Sequence, residues 1–300
     1  MLNWIYFALI AQGIWSVTSM IDKFVISKGY IKNPAVYIVL NGLMNVFLIF
    51  LLPFVGFEPL RFTDILIGFL GGAVFNAGVA IYYKAVQYDE ISKVIILSQF
   101  APIFVLVLSF LFLGEMLTKN TFIGFLFLLG AGAIISYKKI NGSFKLSKAF
   151  RLMFISMLLS SIGFIVAKYI YSVTSFWSAF LWLRVSGFSA LLVLLSPSVR
   201  ENSLKTFRVM KPKIRALMIF KMVIDFSAFI FAGYALLNGP ASLVSALSSS
   251  ALPLFVFILT LITSIYLPKL IKEEIDRKSI LIKVLAIAFI IVGIAFINLY

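Results

Sequence analysis

"GYALLNGPASLVSALSSSALPLF", residues 233–255, lies without a gap over "YYKAVQYDEISKVIILSQFAPIF", residues 82–104. Tyr234 falls on Tyr83, Asn238 on Gln87, Ser249 on Ser98, Pro253 on Pro102 and Phe255 on Phe104. Each window joins the end of one apolar run to the start of the next across a polar hinge. Working outward from them, the chain divides into ten apolar segments, roughly 4–27, 34–55, 63–86, 91–113, 119–138, 149–171, 175–196, 213–237, 240–267 and 279–299. "KNP" at 32–34, "GFEP" at 56–59, "DE" at 89–90, "KKINGSFK" at 138–145 and "NGP" at 238–240 separate some of them. The two windows span the third-to-fourth and eighth-to-ninth segments, so the repeat unit is five segments long. An odd number of spans per unit forces the second copy to insert upside down. Such inverted repeats are a mark of secondary transporters, with the site near the bilayer midplane between the copies.

Composition supports the membrane assignment. Of the 300 residues, 62% are hydrophobic and 12% charged, about half the charged fraction of a soluble domain. The runs between charge clusters reach the ~20 residues that span a hydrocarbon core. Backbone amides in lipid must bond internally, and the alternation of a lumen-lining strand is absent, so the segments are helices. The predicted fold is an all-α integral membrane protein. Ten transmembrane helices form two inverted five-helix repeats, 1–140 and 141–300, within one transmembrane domain. The start, "MLNWIYFALIAQGIWSV", lacks a basic n-region and a small-residue cleavage site, so it reads as a retained first span.

Charge placement orients the chain. The five odd-numbered connections carry three, two, five, six and five Lys or Arg, 21 of the 26 present. The opposite side holds Arg61, Lys119 and, near a helix end, Lys168, while Arg184 and Lys221 lie within spans. The positive-inside rule makes the odd connections cytoplasmic and both termini non-cytoplasmic, in a multi-pass plasma (cytoplasmic) membrane protein. It also accounts for the net charge of +15 without nucleic acid, whose footprint would be one contiguous basic face. Cysteine and histidine are both absent, which removes disulfides, thiolate nucleophiles, Cys/His metal sites and imidazole chemistry. No metal or cofactor is expected; the expected partners are a small-molecule substrate and the lipid bilayer.

Polar side chains inside apolar runs need partners, so they point inward. The amides Gln12, Asn41, Asn45, Asn76 and Gln99 form one such group. Gln12 and Asn76 fall near the midplane, and with Trp15, Gln99 and Ser249 they make the expected substrate cavity. Tight helix packing is the competing reading for the small residues of "ASLVSALSSSA" at 241–251, and helix glue for the amides. Pro102 and Pro253 are expected to kink their helices and free a carbonyl. Glu115, at the outer end of the fourth segment, is either a gate residue or a carboxylate meeting water. Lys23 and Lys168 occupy similar ends of the first helix of each half, where snorkelling would serve both.

"LWLRVSGFSALLVLL", residues 181–195, buries one arginine. Arg184 lies about 13 Å into the seventh segment from the outer side, and Asp225 about 18 Å into the eighth from the cytoplasmic side. In a core about 30 Å thick these depths nearly coincide. The expectation is an intramembrane Arg184–Asp225 pair, either clamp or working part, with Lys221 one turn from Asp225 as competitor.

"QFAPIFVLVLSFLFLGEMLTKNTFIGFLFLLGAGAII", residues 99–135, resembles the fourth and fifth helices of EamA-type transporters, in the drug/metabolite transporter superfamily. The shared features are Pro102 within the helix, the Gly114–Glu115 pair that closes it, and the glycines Gly124, Gly130 and Gly132. "IWSVTSMIDKF", residues 14–24, is similar to the first helix of that family. The second half departs: "YLPKLIKEEIDRK", residues 266–278, stands where a second Gly-Glu pair would fall. The family is usually described with cytoplasmic termini, against the charge count. The resemblance implies export of small metabolites or drugs by alternating access through a cavity between the halves.

The alternatives are an intramembrane enzyme and a membrane subunit without flux. Metal–diphosphate chemistry needs several converging carboxylates, whereas Asp225 is the one acid at mid-membrane depth. A non-enzyme reading follows.

Overall fold

A computed structural model describes residues 3–31, 35–56, 58–85, 88, 97–136, 148–266 and 277–298, and every regular element among them is a helix. Helix α1 runs Asn3–Ser27, and α2 Ala35–Leu43, prolonged by a 3-10 turn over Met44–Phe47 and a last turn at Leu48–Leu51. Then come α3 (Phe62–Ala85), α4 (Ala101–Leu113), α5 (Lys119–Ser136) and α6 (Lys148–Val173). Helix α7 (Phe176–Gly187) passes into a 3-10 stretch over Phe188–Leu195. After it come α8 (Pro197–Val209), α9 (Pro212–Asn238), α10 (Ala241–Tyr266) and α11 (Arg277–Asn298).

Eight of these segments are long and apolar enough to cross a membrane; α4 and α5 are apolar but shorter. Large apolar side chains face outward as well as inward: Phe112 and Leu281 are each 72% exposed. That surface suits lipid, not water. The all-helical membrane protein expected from the sequence is what the chain forms.

Two local features have local causes. In α2 the Asn45 amide donates to the carbonyls of Asn41 and Gly42, both at 3.0 Å, where it competes with the α-helical ladder and favours the tighter 3-10 turn. In α7 the Ser186 hydroxyl donates to Leu183 O at 2.7 Å just before the helix tightens. The α7 3-10 stretch packs on α2. The seventh connection, read as a loop, contains the polar helix α8, which carries Arg200, Lys205 and Arg208.

Pro102 is a correction. It was expected to kink a continuous helix over 91–113, but it sits in the first turn of α4, behind a turn at Gln99 and Phe100. The first turn of a helix has no i−4 carbonyl to bond, so proline starts α4 at no cost to the ladder. Residues 91–96 lie outside the described residues. Pro253 lies inside α10.

Helix α3 runs along α6, α5 along α11, and α1 against both α9 and α10, while α4 touches α6 and α10. Glycine permits the closest crossings. A Cβ added at Gly124 in α5 would fall 2.7 Å from the Gly293 carbonyl of α11, and one at Gly163 in α6 would fall 2.9 Å from the Gly71 carbonyl of α3. The core between these layers includes Trp4, Phe180, Leu181, Leu236, Leu243 and Leu247.

Candidate functional site

A cavity of about 450 Å³ opens between α1, α2 and α3 on one side and α6, α7 and α9 on the other. That volume lies within the ~300–1,000 Å³ of small-molecule sites. Trp15, Phe75, Phe164, Tyr171 and Phe229 supply much of its wall, with Tyr37 and Tyr83. Trp15 meets Phe229 edge-on at 5.1 Å. Asn76, Asn41 and Asn45 add amides, and Asn76 donates to the Ser189 hydroxyl at 2.8 Å.

Four charged side chains line the same space: Asp22, Arg184, Lys221 and Asp225. The Lys221 ammonium stands 2.6 Å from Asp225 and 3.3 Å from Asp22. Lys221 and Asp225 are four residues apart on α9, one turn, so their side chains share a face and meet without any help from tertiary structure. Asp22 approaches the same ammonium from α1. Two carboxylates therefore share one cation, and the triad carries one net negative charge.

Asp225 thus pairs with Lys221 and not with Arg184, against the sequence expectation. The depth argument was sound: Arg184 lies over Phe229, one turn along α9 from Asp225, with its guanidinium carbon 4.0 Å from the ring centroid. Rotation about the helix decides the partner, and Lys221 has the shorter path. Arg184 Nε is buried without a hydrogen-bond partner, and among the described residues no carboxylate forms an ion pair with the guanidinium. A second ring, Phe180, stands 5.7 Å away. Cation–π contacts contribute ~0.5–2 kcal/mol, less than the several kcal/mol an ion loses on burial.

Other expected site residues fall elsewhere. Trp15, Asn76, Arg184 and Asp225 line the cavity, whereas Gln12, Gln99 and Ser249 lie outside its wall. Gln12 and Gln99 are buried, and Gln99 Oε1 faces Gly132 of α5 without a hydrogen bond. Both amides are buried, as expected of polar groups in apolar runs, but neither faces the cavity. The sequence reading missed Asp22, Lys221 and the tyrosines 37, 83 and 171 as cavity residues. The signal for Lys221 was its four-residue spacing from Asp225.

Tyr171 of the cavity wall belongs to an aromatic stack. Tyr171 stacks on Phe176 at 5.6 Å, and Tyr234 stacks on both Phe176 and Phe7, at 5.3 Å from the latter. Beyond them Lys168 turns inward and does not snorkel. Its ammonium donates to the carbonyls of Leu236, Leu237 and Gly239 at 2.7, 3.2 and 2.9 Å, where the last carbonyls of α9 lack partners. Glu115, just past the left-handed Gly114 cap of α4, accepts the Ala241 N–H at 2.8 Å and stands 3.9 Å from Lys168. Its carboxylate thus meets the positive end of α10, and Lys168 the negative end of α9. Burial pushes the Glu115 carboxyl above its usual range; the Ala241 N–H and the Lys168 ammonium pull it back.

No curated protein matches the chain in sequence. One solved crystal structure, described only as that of a protein, superposes over 99% of this chain and 96% of its own, with TM-score 0.68 and 13% identity. At that identity the likeness is one of fold. The sequence profile of the EamA-like transporter family matches residues 2–137, so over that unit the chain is similar to EamA-type transporters.

Proposed function

We infer that the chain is a secondary transporter of ten spans in two inverted five-helix repeats, 1–140 and 141–300, which exports a small organic solute by alternating access. The observation that carries this reading is the central cavity, walled by aromatics yet holding four charged side chains from both halves. Intramembrane charges are expensive and mark pathways. Helix contacts support the repeat. If α6, α7, α9, α10 and α11 are the counterparts of α1 to α5, the contacts come as mates: α1 with α9 and α3 with α6; α1 with α10 and α4 with α6; α2 with α7, α4 with α10 and α5 with α11 each with its own counterpart.

In this reading Trp15, Asn76 and the charged residues contact the solute. The aromatic stack and the Glu115–Lys168 contacts form the outer gate, and the triad faces the basic, cytoplasmic side. Gln12, Gln99 and Ser249 act as helix glue. The test is purified protein in sealed vesicles, assayed for uptake of labelled organic acids, amines and neutral solutes. Flux of at least one solute, abolished by a bulky Asn76→Trp change that leaves folded yield intact, supports the reading. No flux of any class would favour a non-transporting subunit.

A further inference from the structure

The fold makes little use of the charge on Arg184. Its guanidinium carries five N–H donors in a planar fork, and none donates to a described residue; Nε is buried and orphaned. Aromatic faces lie against it, Phe229 at 4.0 Å and Phe180 at 5.7 Å. Both acids of the cavity face the Lys221 ammonium, Asp225 at 2.6 Å and Asp22 at 3.3 Å through one oxygen, while Asp22 Oδ1 is buried without a hydrogen-bond partner. A cationic solute would have to compete with that ammonium for both carboxylates. An anionic one would meet donors that are empty.

We propose that the solute is an organic oxyanion whose carboxylate or phosphate docks on the Arg184 fork, with its apolar or aromatic body against Trp15, Phe75 and Phe229. The inference rests on the transport reading for the solute's passage, not for its binding. Planar guanidinium matches both oxyanions through two parallel hydrogen bonds, and the bond is strongest where water is excluded. The Phe229 ring lies against the guanidinium, and Arg184 lines the cavity, where its unused N–H groups can meet a ligand. The cavity of about 450 Å³ has room for such a body and for little beyond a small molecule.

The experiment uses the full chain in detergent with four probes of similar size: phenylacetate, phenyl phosphate, phenylacetamide and phenethylamine. Binding is read by tryptophan fluorescence and by thermal stabilisation. At least one anion should bind and stabilise the protein, and the amide and amine should not. Preference between the two anions identifies which oxyanion is carried, and either preference upholds the proposal. Arg184→Gln should weaken the preferred anion at least tenfold, with Arg184→Lys recovering part. Should Arg184→Gln fail to fold, Phe229→Glu, which sets a carboxylate beside the guanidinium, should block the anion instead. Binding of the amide or amine as tight as that of either anion, anion binding unchanged in Arg184→Gln, or no anion binding in the wild type would overturn it. The transport reading fails separately. Anion binding lost in Arg184→Gln without flux of any probe leaves the anion site standing and removes transport. Flux of amine or amide untouched by Arg184→Gln does the reverse.

Discussion

Replacing Lys221 by methionine keeps the length of the side-chain stem and removes the ammonium. Asp225 and Asp22, 2.6 and 3.3 Å from that ammonium, are then left without a countercharge and repel each other. Stranding a buried charge costs about 3–5 kcal/mol. Both acids touch the cavity, with side chains 10% and 28% exposed, so the lower end, about 3 kcal/mol, is expected. Asp225→Asn leaves Lys221 on Asp22 and should cost about 1–2 kcal/mol. The double replacement should fall short of the sum of the two singles by about 2 kcal/mol, because the second change removes a charge the first had stranded. The assay is reversible unfolding in mixed micelles by dodecyl sulfate, near neutral pH, followed by tryptophan fluorescence. The matched cycle of Arg184→Met with Asp225→Asn should be additive to within about 0.5 kcal/mol. A larger coupling for Arg184–Asp225 than for Lys221–Asp225 would refute the pairing and everything derived from the free guanidinium.

At the start of α10, Glu115→Ala should cost about 1 kcal/mol as the loss of a helix cap, and Glu115→Gln, still able to accept from Ala241, much less. The Glu115 pKa is raised on folding, so its carboxyl favours the folded state below the ordinary value of 4.5, and that contribution is lost as pH rises through the raised value. Thermal unfolding against pH should therefore show wild type losing stability relative to Glu115→Gln over that interval; an opposite slope would remove the desolvation argument. Gly124→Leu drives a side chain into the Gly293 carbonyl and Ile297, and should lower stability by about 1–3 kcal/mol in the same micelle assay. Because native cysteine is absent, Thr118→Cys should label from outside intact cells and Lys205→Cys only after the membrane is opened; the reverse would return the chain to cytoplasmic termini. Asn76→Leu should reduce flux with folded yield preserved, whereas Gln99→Leu should act on folded yield; the opposite split, read by transport and by size-exclusion yield, would move Gln99 back into the site.

The membrane class was legible because hydrocarbon imposes length and composition on every span, and both are visible one residue at a time. The glycines of the fifth segment were legible only as part of a family resemblance; their packing role, Gly124 against Gly293, emerges from the structure. Pro102 was misread because a proline in the middle of an apolar run looks the same whether the helix bends there or begins there. The turn at Gln99 that separates these cases depends on tertiary packing. Arg184 shows the limit most plainly. Depth along a span follows from counting residues, and it brought Arg184 and Asp225 to nearly the same level. Which way each side chain faces is set by the packing of neighbouring helices, and a lysine four residues away on the same helix needs no packing at all.

The charges on the cavity wall have an electrical consequence. Arg184 and Lys221 oppose Asp22 and Asp225, so in their ordinary ionised forms the four cancel. A carrier with this wall can change its exposure while empty without moving net charge through the membrane field. Only the cargo's own charge then does electrical work. For a monoanion leaving an interior-negative cell that work is favourable, up to about 2.3 kcal/mol for each 100 mV crossed. On the proposed reading, outward flux of such an anion would draw on the membrane potential itself.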